Sequence, residues 1–363
     1  MISAADRQRA ADILAQFEAA GAARVETEIL QPAGTLLDLY GEDIRARAFT
    51  TTDPLRGETM LRPDFTVPVV QAHMEDGAEP ARYAYLGEVF RRQEEDPSRP
   101  REYLQVGYEV FDRAAPAQAD AEVFATLQAA LAPWKAKAHT GDLGILIAAV
   151  EGLSTSVDRR AALRRHIWRP RRFRKLLTRF ADGGATPAGR ATLVAALAAS
   201  SPDAMVADAG PLVGLRSATE IQARLRTLQD DAEAPTIPRA EAEVLDAILE
   251  IDDTLAGALS PLRDLAVDLP ALTPALDRLD ARAEALAARN IDPASLAFAP
   301  ARGRSAMEYY DGFVFTFTAA GRPDLPPLAA GGRYDALTAV LGRGRAIPAV
   351  GGVIRPGLLG DAL

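Results

Sequence analysis

The sequence predicts an α+β fold, a mainly antiparallel sheet flanked by helices and interrupted by a helical insertion. Three observations predict it. Short β-like pieces follow Pro32 and return near Leu296; strand signals nearly vanish from about Ser154 to Ala287; and no short repeat period runs through the chain, which sets solenoids and propellers aside. The expected organisation is a mixed core of residues 1–150 and 290–363, with residues 151–289 as the insertion.

Each element has its local signal. Ser3 can cap a helix over SAADRQRAADILAQFEAAG, in which Ala10, Ile13, Leu14 and Phe17 recur at helical spacing and Gly21 can end the run. AFTTT and ETMLRP flank the turn-rich DPLRG, a hairpin signature whose second strand ends at Pro63. Residues 66–75 suit a helix. RYAYLGEVFRR and REYLQVGYEVF then read as an antiparallel pair joined by the charged QEEDPSRP, expected to be a mobile loop. ADAEVFATLQAALAPW is a helix, and the apolar LGILIAAV reads as a short strand. Helical periodicity marks AEAEVLDAILEIDDTLAGAL and ALDRLDARAEALAARN inside the insertion. SLAFAPA, EYYDGFVFTFTA and LAAGGRYDALTAVLG complete the core.

Composition narrows the chemistry. The 363 residues carry 41 basic and 50 acidic side chains, net −9, with 48% hydrophobic residues, no cysteine and three histidines. Without cysteine there is no disulfide, thiolate catalysis or Cys-type metal site, and the scattered His73, His139 and His166 form no metal-binding spacing, so no metal is expected. No motif in the chain carries a cofactor expectation either. No apolar run approaches the roughly 20 residues of a membrane span and the N-terminus lacks a signal-peptide pattern, so the expected location is cytoplasmic. A net negative chain is a poor general binder of nucleic acid. One window breaks the average: Arg159 to Arg179 holds nine arginines, Lys175 and no acid, so it is +10 while the remainder is −19. It reads either as a solvated helix face or as a docking patch for an acidic partner, with Arg164, Arg165, Trp168, Arg171 and Arg172 as candidate contacts.

The strand Glu102 to Phe111 is the most informative piece for a site. Leu104, Val106, Tyr108 and Val110 share one face; Gln105, Gly107 and Glu109 share the other. That second face is either a polar floor with space above its glycine, suited to a small polar ligand, or a sheet face open to water. On the partner strand Arg91 closes the alternation Tyr85, Gly87, Val89, Arg91; it could grip a carboxylate or phosphate, or pair with Glu94, Glu95 or Asp96. Asp64 could meet an amine, or it and Thr66 could cap the following helix. Tyr309 and Tyr310 could line a pocket or belong to a half-buried strand, and GGRYD resembles a glycine-rich turn into a helix.

In order and spacing, LRPDFT, RYAYLGEVFRR, REYLQVGYEVF, EYYDGFVF and AAGGRYDALTAVLG with PAVGG resemble the catalytic core of class II histidyl-tRNA synthetases over most of residues 1–150 and 296–363. The resemblance implies a histidine-binding floor. Asp64, where that family usually has glutamate, would meet the α-amino group with Thr66; Gln105 and Glu109 would face the amino acid; Arg91 would bind the activated carboxylate and α-phosphate; Tyr309 and Tyr310 would surround the imidazole.

The departures matter as much. The family's RGLDYY arginine is replaced by Ser305, with Arg304 displaced by one residue; its GFAIGLERL arginine, which clamps ATP, is replaced by Leu358, with Arg355 three residues early and before Pro356; and Gln93 stands where an acid is usual. Cations that stabilise phosphate charge are each worth about 3 kcal/mol or more in the transition state, so very weak or absent adenylation is expected. The chain also ends at Leu363, where the synthetases continue into an anticodon-binding domain. Together these features resemble the synthetase-related regulatory subunit of ATP phosphoribosyltransferase. That resemblance implies a non-catalytic protein that forms a homodimer, joins a short-form catalytic subunit for the first step of histidine biosynthesis, conveys feedback by histidine and binds no tRNA. The alternative is a trimmed synthetase or a tRNA-independent amino-acid adenylating ligase.

Overall fold

The computed structural model describes residues 2–34, 48–92, 99–181, 188–304 and 309–362. Among them, nine strands form one sheet in the order β1-β5-β6-β12-β11-β10-β7-β9-β8: β1 Ala23–Arg24, β5 Ala81–Phe90, β6 Glu102–Phe111, β12 Ala349–Ile354, β11 Ala329–Arg333, β10 Phe313–Thr318, β7 Lys137–Asp142, β9 Ala297–Phe298 and β8 Asp253–Thr254. Only β1 with β5 and β7 with β9 pair in parallel in this sheet, so the α+β expectation of a mainly antiparallel sheet is met. A second sheet, β2-β4-β3, joins Leu30–Pro32, Gly57–Leu61 and Thr50–Asp53.

Local chemistry explains the first elements. The helix Ala4–Ala19 begins in a capping box between Ser3 and Asp6, buries Ala10, Ile13, Leu14 and Phe17, and gives way to Gly21 at φ +95. The Asp53 carboxylate accepts the amides of Leu55 and Arg56 and turns the expected hairpin, after which Gly57 takes φ +77. The loop expected between β5 and β6 falls partly on residues 93–98, outside the described residues.

Two elements differ from expectation. AEAEVLDAILEIDDTLAGAL is not one helical run: the strand β8, Asp253–Thr254, separates the helices Arg239–Glu250 and Leu255–Asp268 and joins the main sheet. LGILIAAV is not a strand but the start of the helix Leu143–Glu151; the strand is the preceding β7. An apolar run of this length satisfies either geometry. Here the Asp142 side chain accepts the Gly144 amide at 2.7 Å, so the chain turns into a helix at once.

The chain divides into two compact units, Met1–Ile145 with Leu249–Asp264 and Thr273–Leu363, and Leu146–Ile248 with Leu265–Leu272. Residues 151–289, taken as one insertion in the sequence, are thus shared between them. Part of the reason is a buried charge network: on the helix Thr273–Ala287, Arg282 donates to Asp120 (2.8 Å) and Asp142 (2.6 Å), while Arg333 reaches the same Asp120 at 2.7 Å and Asp335 at 3.0 Å. Charges enclosed this way are tolerable only because each has partners. The second unit is helical among its described residues, and its core includes Leu163, Ile167, Phe173, Leu177, Leu245 and Ile248.

Candidate functional site

The site is built on β6. Gln105 and Glu109 are each 1% exposed, and Leu104, Val106, Tyr108 and Val110 on the opposite face are buried too. The water-exposed alternative for the Gln105–Glu109 face therefore does not hold. Register explains how large polar side chains fit there: Glu109 stands opposite Gly351, and Gly107 opposite Tyr85. A Cβ on Gly351 would lie 1.3 Å from the Glu109 carboxylate, and one on Gly107 would lie 2.0 Å from the Tyr85 ring. Glycine thus lets each side chain lie across the neighbouring strand.

Three hydroxyls converge on Glu109. Tyr85 donates at 2.9 Å and Thr66 at 3.2 Å to Oε1, and Tyr334 donates at 2.6 Å to Oε2. Burial nevertheless pushes the carboxyl pKa up to about 7; the Tyr334, Tyr85 and Thr66 bonds oppose this, and the nearby Asp64 carboxylate adds to it. The Gln105 side-chain oxygen, also enclosed, meets no hydrogen-bond donor among the described residues.

The rim comes from three other places. Asp64 and Thr66 are buried where the helix Thr66–Asp76 begins, but its N-cap residue is Phe65 and no side chain caps it, so neither performs the capping role. Tyr310 is buried and Tyr309 half-buried; both precede β10 rather than lying in it. Their rings meet at 4.8 Å, and the Tyr309 hydroxyl reaches Thr66 at 3.4 Å. Tyr310 lies against Gly332, so the glycines of GGRYD are in β11 rather than in a turn. The amides of Asp335 and Ala336 that begin the next helix are taken by the Asp311 carboxylate, not left open for an anion. Arg91 follows β5 and donates to the Pro63 carbonyl at 2.8 Å, which ties it to the Asp64 segment. Its alternative partners Glu94, Glu95 and Asp96, like Gln93 and Ser305, lie outside the described residues.

Arg304 is buried in the turn before residues 305–308. Arg355 is half-buried and donates to the Pro327 carbonyl at 2.9 Å; desolvation lowers its pKa, and the Arg91 and Arg99 guanidiniums lower it further. Leu358 occupies the short helix Pro356–Leu359. Asp64, Thr66, Glu109, Tyr309 and Tyr310 thus form one cluster that Arg91 adjoins, while Gln105 lies further along the same face of β6. Sequence reasoning missed Tyr85 and Tyr334. Their signal was indirect: a buried carboxylate needs donors, and tyrosine beside a cross-strand glycine is a way to supply one.

In the second unit the basic window occupies the helices Val157–Arg165 and Pro170–Ala181. Arg159, Arg179 and Arg190 gather on Asp231, and Arg164 pairs with Glu151 at 2.6 Å. Arg165, Arg171 and Arg172 are exposed; Trp168 is half-buried with its indole nitrogen enclosed.

Comparison with known proteins agrees with this architecture. The histidyl-tRNA synthetase family model matches residues 3–241 and 222–356. Proteins named ATP phosphoribosyltransferase regulatory subunit are similar along nearly the whole chain: that of Sinorhizobium medicae is 33% identical over 359 residues, covering 94% of this chain and 93% of its own. That of Mesorhizobium japonicum is 35% identical over 359 residues, covering 94% of each. This chain belongs to the ATP phosphoribosyltransferase regulatory subunit family. Solved structures similar to this family member share its fold. A protein described as an ATP phosphoribosyltransferase regulatory subunit/histidyl-tRNA synthetase from Bacillus halodurans C superposes with a TM-score of 0.68 at 22% identity, over 99% of this chain and 79% of that one. The histidyl-tRNA synthetase of Nostoc sp. PCC 7120 gives 0.63 at 16% identity, over 99% and 73%. The regulatory-subunit family member therefore has a class II synthetase-like fold. No helix among its described residues is long and apolar enough to cross a membrane.

Proposed function

We propose that this chain is a non-catalytic regulatory subunit that associates with a short-form ATP phosphoribosyltransferase catalytic chain, supports the first step of histidine biosynthesis and conveys feedback by histidine. The observation that carries this reading is the similarity to regulatory subunits over 94% of the chain. The buried floor supports a small amino-acid effector: Glu109 and Asp64 suit an α-amino group, Gln105 offers a buried acceptor, and Tyr309 and Tyr310 supply aromatic walls. Arg91 is proposed for the ligand carboxylate. Leu358 in place of a phosphate-clamping arginine supports the absence of adenylation, and neither a cofactor nor tRNA enters this reading.

A homodimer within the larger assembly is proposed along β2, where Ile29 and Leu30 are exposed apolar side chains beside Pro32. The basic face with Arg164, Arg165, Arg171 and Arg172, together with the half-buried Trp168, is proposed to meet the catalytic partner. Mixing the chain with a short catalytic chain should give co-elution and activation; the absence of both would sink the proposal. Histidine-dependent ATP–pyrophosphate exchange separates it from an adenylating enzyme, for which a robust signal is required.

A further inference from the structure

Two side chains outside the predicted ligand contacts complete the support of the floor. Phe65 is 1% exposed and its ring stacks on Tyr85 at 4.4 Å between centroids, tilted by only 12°. The Arg62 guanidinium sits 4.0 Å from the centre of the same Phe65 ring. Two groups this close to the face of one ring take opposite sides of it, so the order is Arg62, Phe65, Tyr85. Arg62 is itself immobilised: Nε donates to the Glu88 carbonyl at 2.8 Å, and Nη1 donates to the Thr27 carbonyl at 2.7 Å and to its hydroxyl at 3.2 Å. The β5 backbone closes the stack, because a Cβ on Gly87 would come within 2.5 Å of Arg62 Nη2 and 2.9 Å of Phe65. At the other end Tyr85 lies over Gly107, and its hydroxyl donates to Glu109.

We infer that Phe65 and Arg62 are positioning residues for the ligand pocket, holding the Tyr85 ring in the plane from which its hydroxyl engages Glu109. Gly107 offers no side chain to stop that ring from turning. Phe65 supplies the missing wall, and Arg62, pinned by three hydrogen bonds, supplies the wall behind Phe65 by a cation–π contact. The inference rests on Glu109 serving as a ligand contact, as proposed above.

A double-mutant cycle on the full chain tests it, read by calorimetry of histidine between pH 6 and 8.5. Phe65→Leu and Tyr85→Phe should each weaken binding about tenfold, the scale of a hydrogen bond to a charged group. The double variant should lose no more than about tenfold, because both changes break one device. Both single variants should also move the pH midpoint of affinity upward, since Glu109 loses a donor while Asp64, Thr66, Tyr310 and Tyr334 still face it. Losses that multiply to about a hundredfold, with the Phe65→Leu midpoint unmoved, would overturn positioning in favour of plain packing. If Phe65→Leu does not fold, Phe65→Met and Arg62→Lys take its place with the same two readouts. A folded wild type that binds no histidine refutes the pocket itself, and the inference falls with it; that outcome is distinct from multiplying losses in a wild type that binds.

Discussion

Glu109→Gln is the most direct perturbation of the floor. The folded chain holds the Glu109 carboxyl near pH 7, against an ordinary 4.5, chiefly because burial removes water from the ionised form. A folded-state pKa above the unfolded one means that the native protein binds the proton more tightly. The associated stability is fully present below pH 4.5 and is lost as the pH rises through about 7. A difference of about 2.5 in pKa, at about 1.4 kcal/mol each, makes the full loss roughly 3.5 kcal/mol. Glutamine keeps the shape and one acceptor oxygen but cannot ionise. Its own mismatch with Tyr334 is a constant offset, not a slope. Urea unfolding in a Trp168→Phe background, which leaves Trp134 to report on the sheet unit, should therefore show wild type losing about 2.5 kcal/mol relative to Glu109→Gln between pH 5 and 8.5, the rest having been lost below pH 5. Asp311 and Asp335, whose pKa values burial also raises, are common to both proteins and cancel in the difference. A difference curve flat to within about 0.5 kcal/mol, or sloping the other way, refutes the assignment of a strained carboxylate.

Four further outcomes are expected. Histidine should bind roughly tenfold more tightly at pH 8 than at pH 6 in wild type relative to Glu109→Gln, because an amine contact needs the ionised carboxylate; equal ratios by calorimetry count against the contact. Gly351→Ala places a methyl where the Glu109 carboxylate lies and should abolish most histidine affinity; retention of wild-type affinity would contradict the register. Asp120→Ala strips a buried partner from both Arg282 and Arg333 and should lower unfolding stability by about 3–5 kcal/mol, checked by denaturant midpoint. Replacing exposed Arg165, Arg171 and Arg172 by Gln should leave stability within about 0.5 kcal/mol but weaken binding to a catalytic chain at low salt; unchanged binding and salt slope remove that face from the partner surface.

Legibility in the sequence followed the kind of signal. Where a residue acts through its own spacing it could be read: Ser3 and Asp6 cap the first helix, Asp53 turns the hairpin, and the period-two face of β6 carries Gln105 and Glu109. Burial of that face could not be read, because alternation is the same whether the opposite side meets water or another layer. LGILIAAV misled because an apolar run has no period to separate strand from helix. The remaining parts of the site depend on register between distant strands. Nothing local in GGRYD says that Tyr334 will reach a carboxylate 225 positions away, and only the pairing of β12 with β6 brings Gly351 beneath Glu109. In the sequence Arg282 is one of two arginines on the helix Thr273–Ala287; its two buried carboxylate partners come from elements that the fold alone brings near.

The proposed feedback through this pocket would require little energy but a definite asymmetry. Histidine inhibits an assembly only if it binds the inactive form more tightly, and a tenfold preference is about 1.4 kcal/mol. One charge-assisted hydrogen bond made in one state and lost in the other exceeds that. The floor has a group suited to such a difference, because Glu109 is already held by three hydroxyls from three separate segments, Thr66, Tyr85 and Tyr334. A small relative displacement of any one of them removes a donor, raises the proton affinity of the carboxylate and so weakens its hold on an incoming amine. A change in assembly at β2 would reach one of those segments directly: Arg62, which follows β4 and is hydrogen-bonded to Thr27 and Ile29, bears on Phe65 beside Thr66. If the proposed dimer forms there, ligand affinity and subunit contact would be linked through the orientation of hydroxyls rather than through opening of the fold.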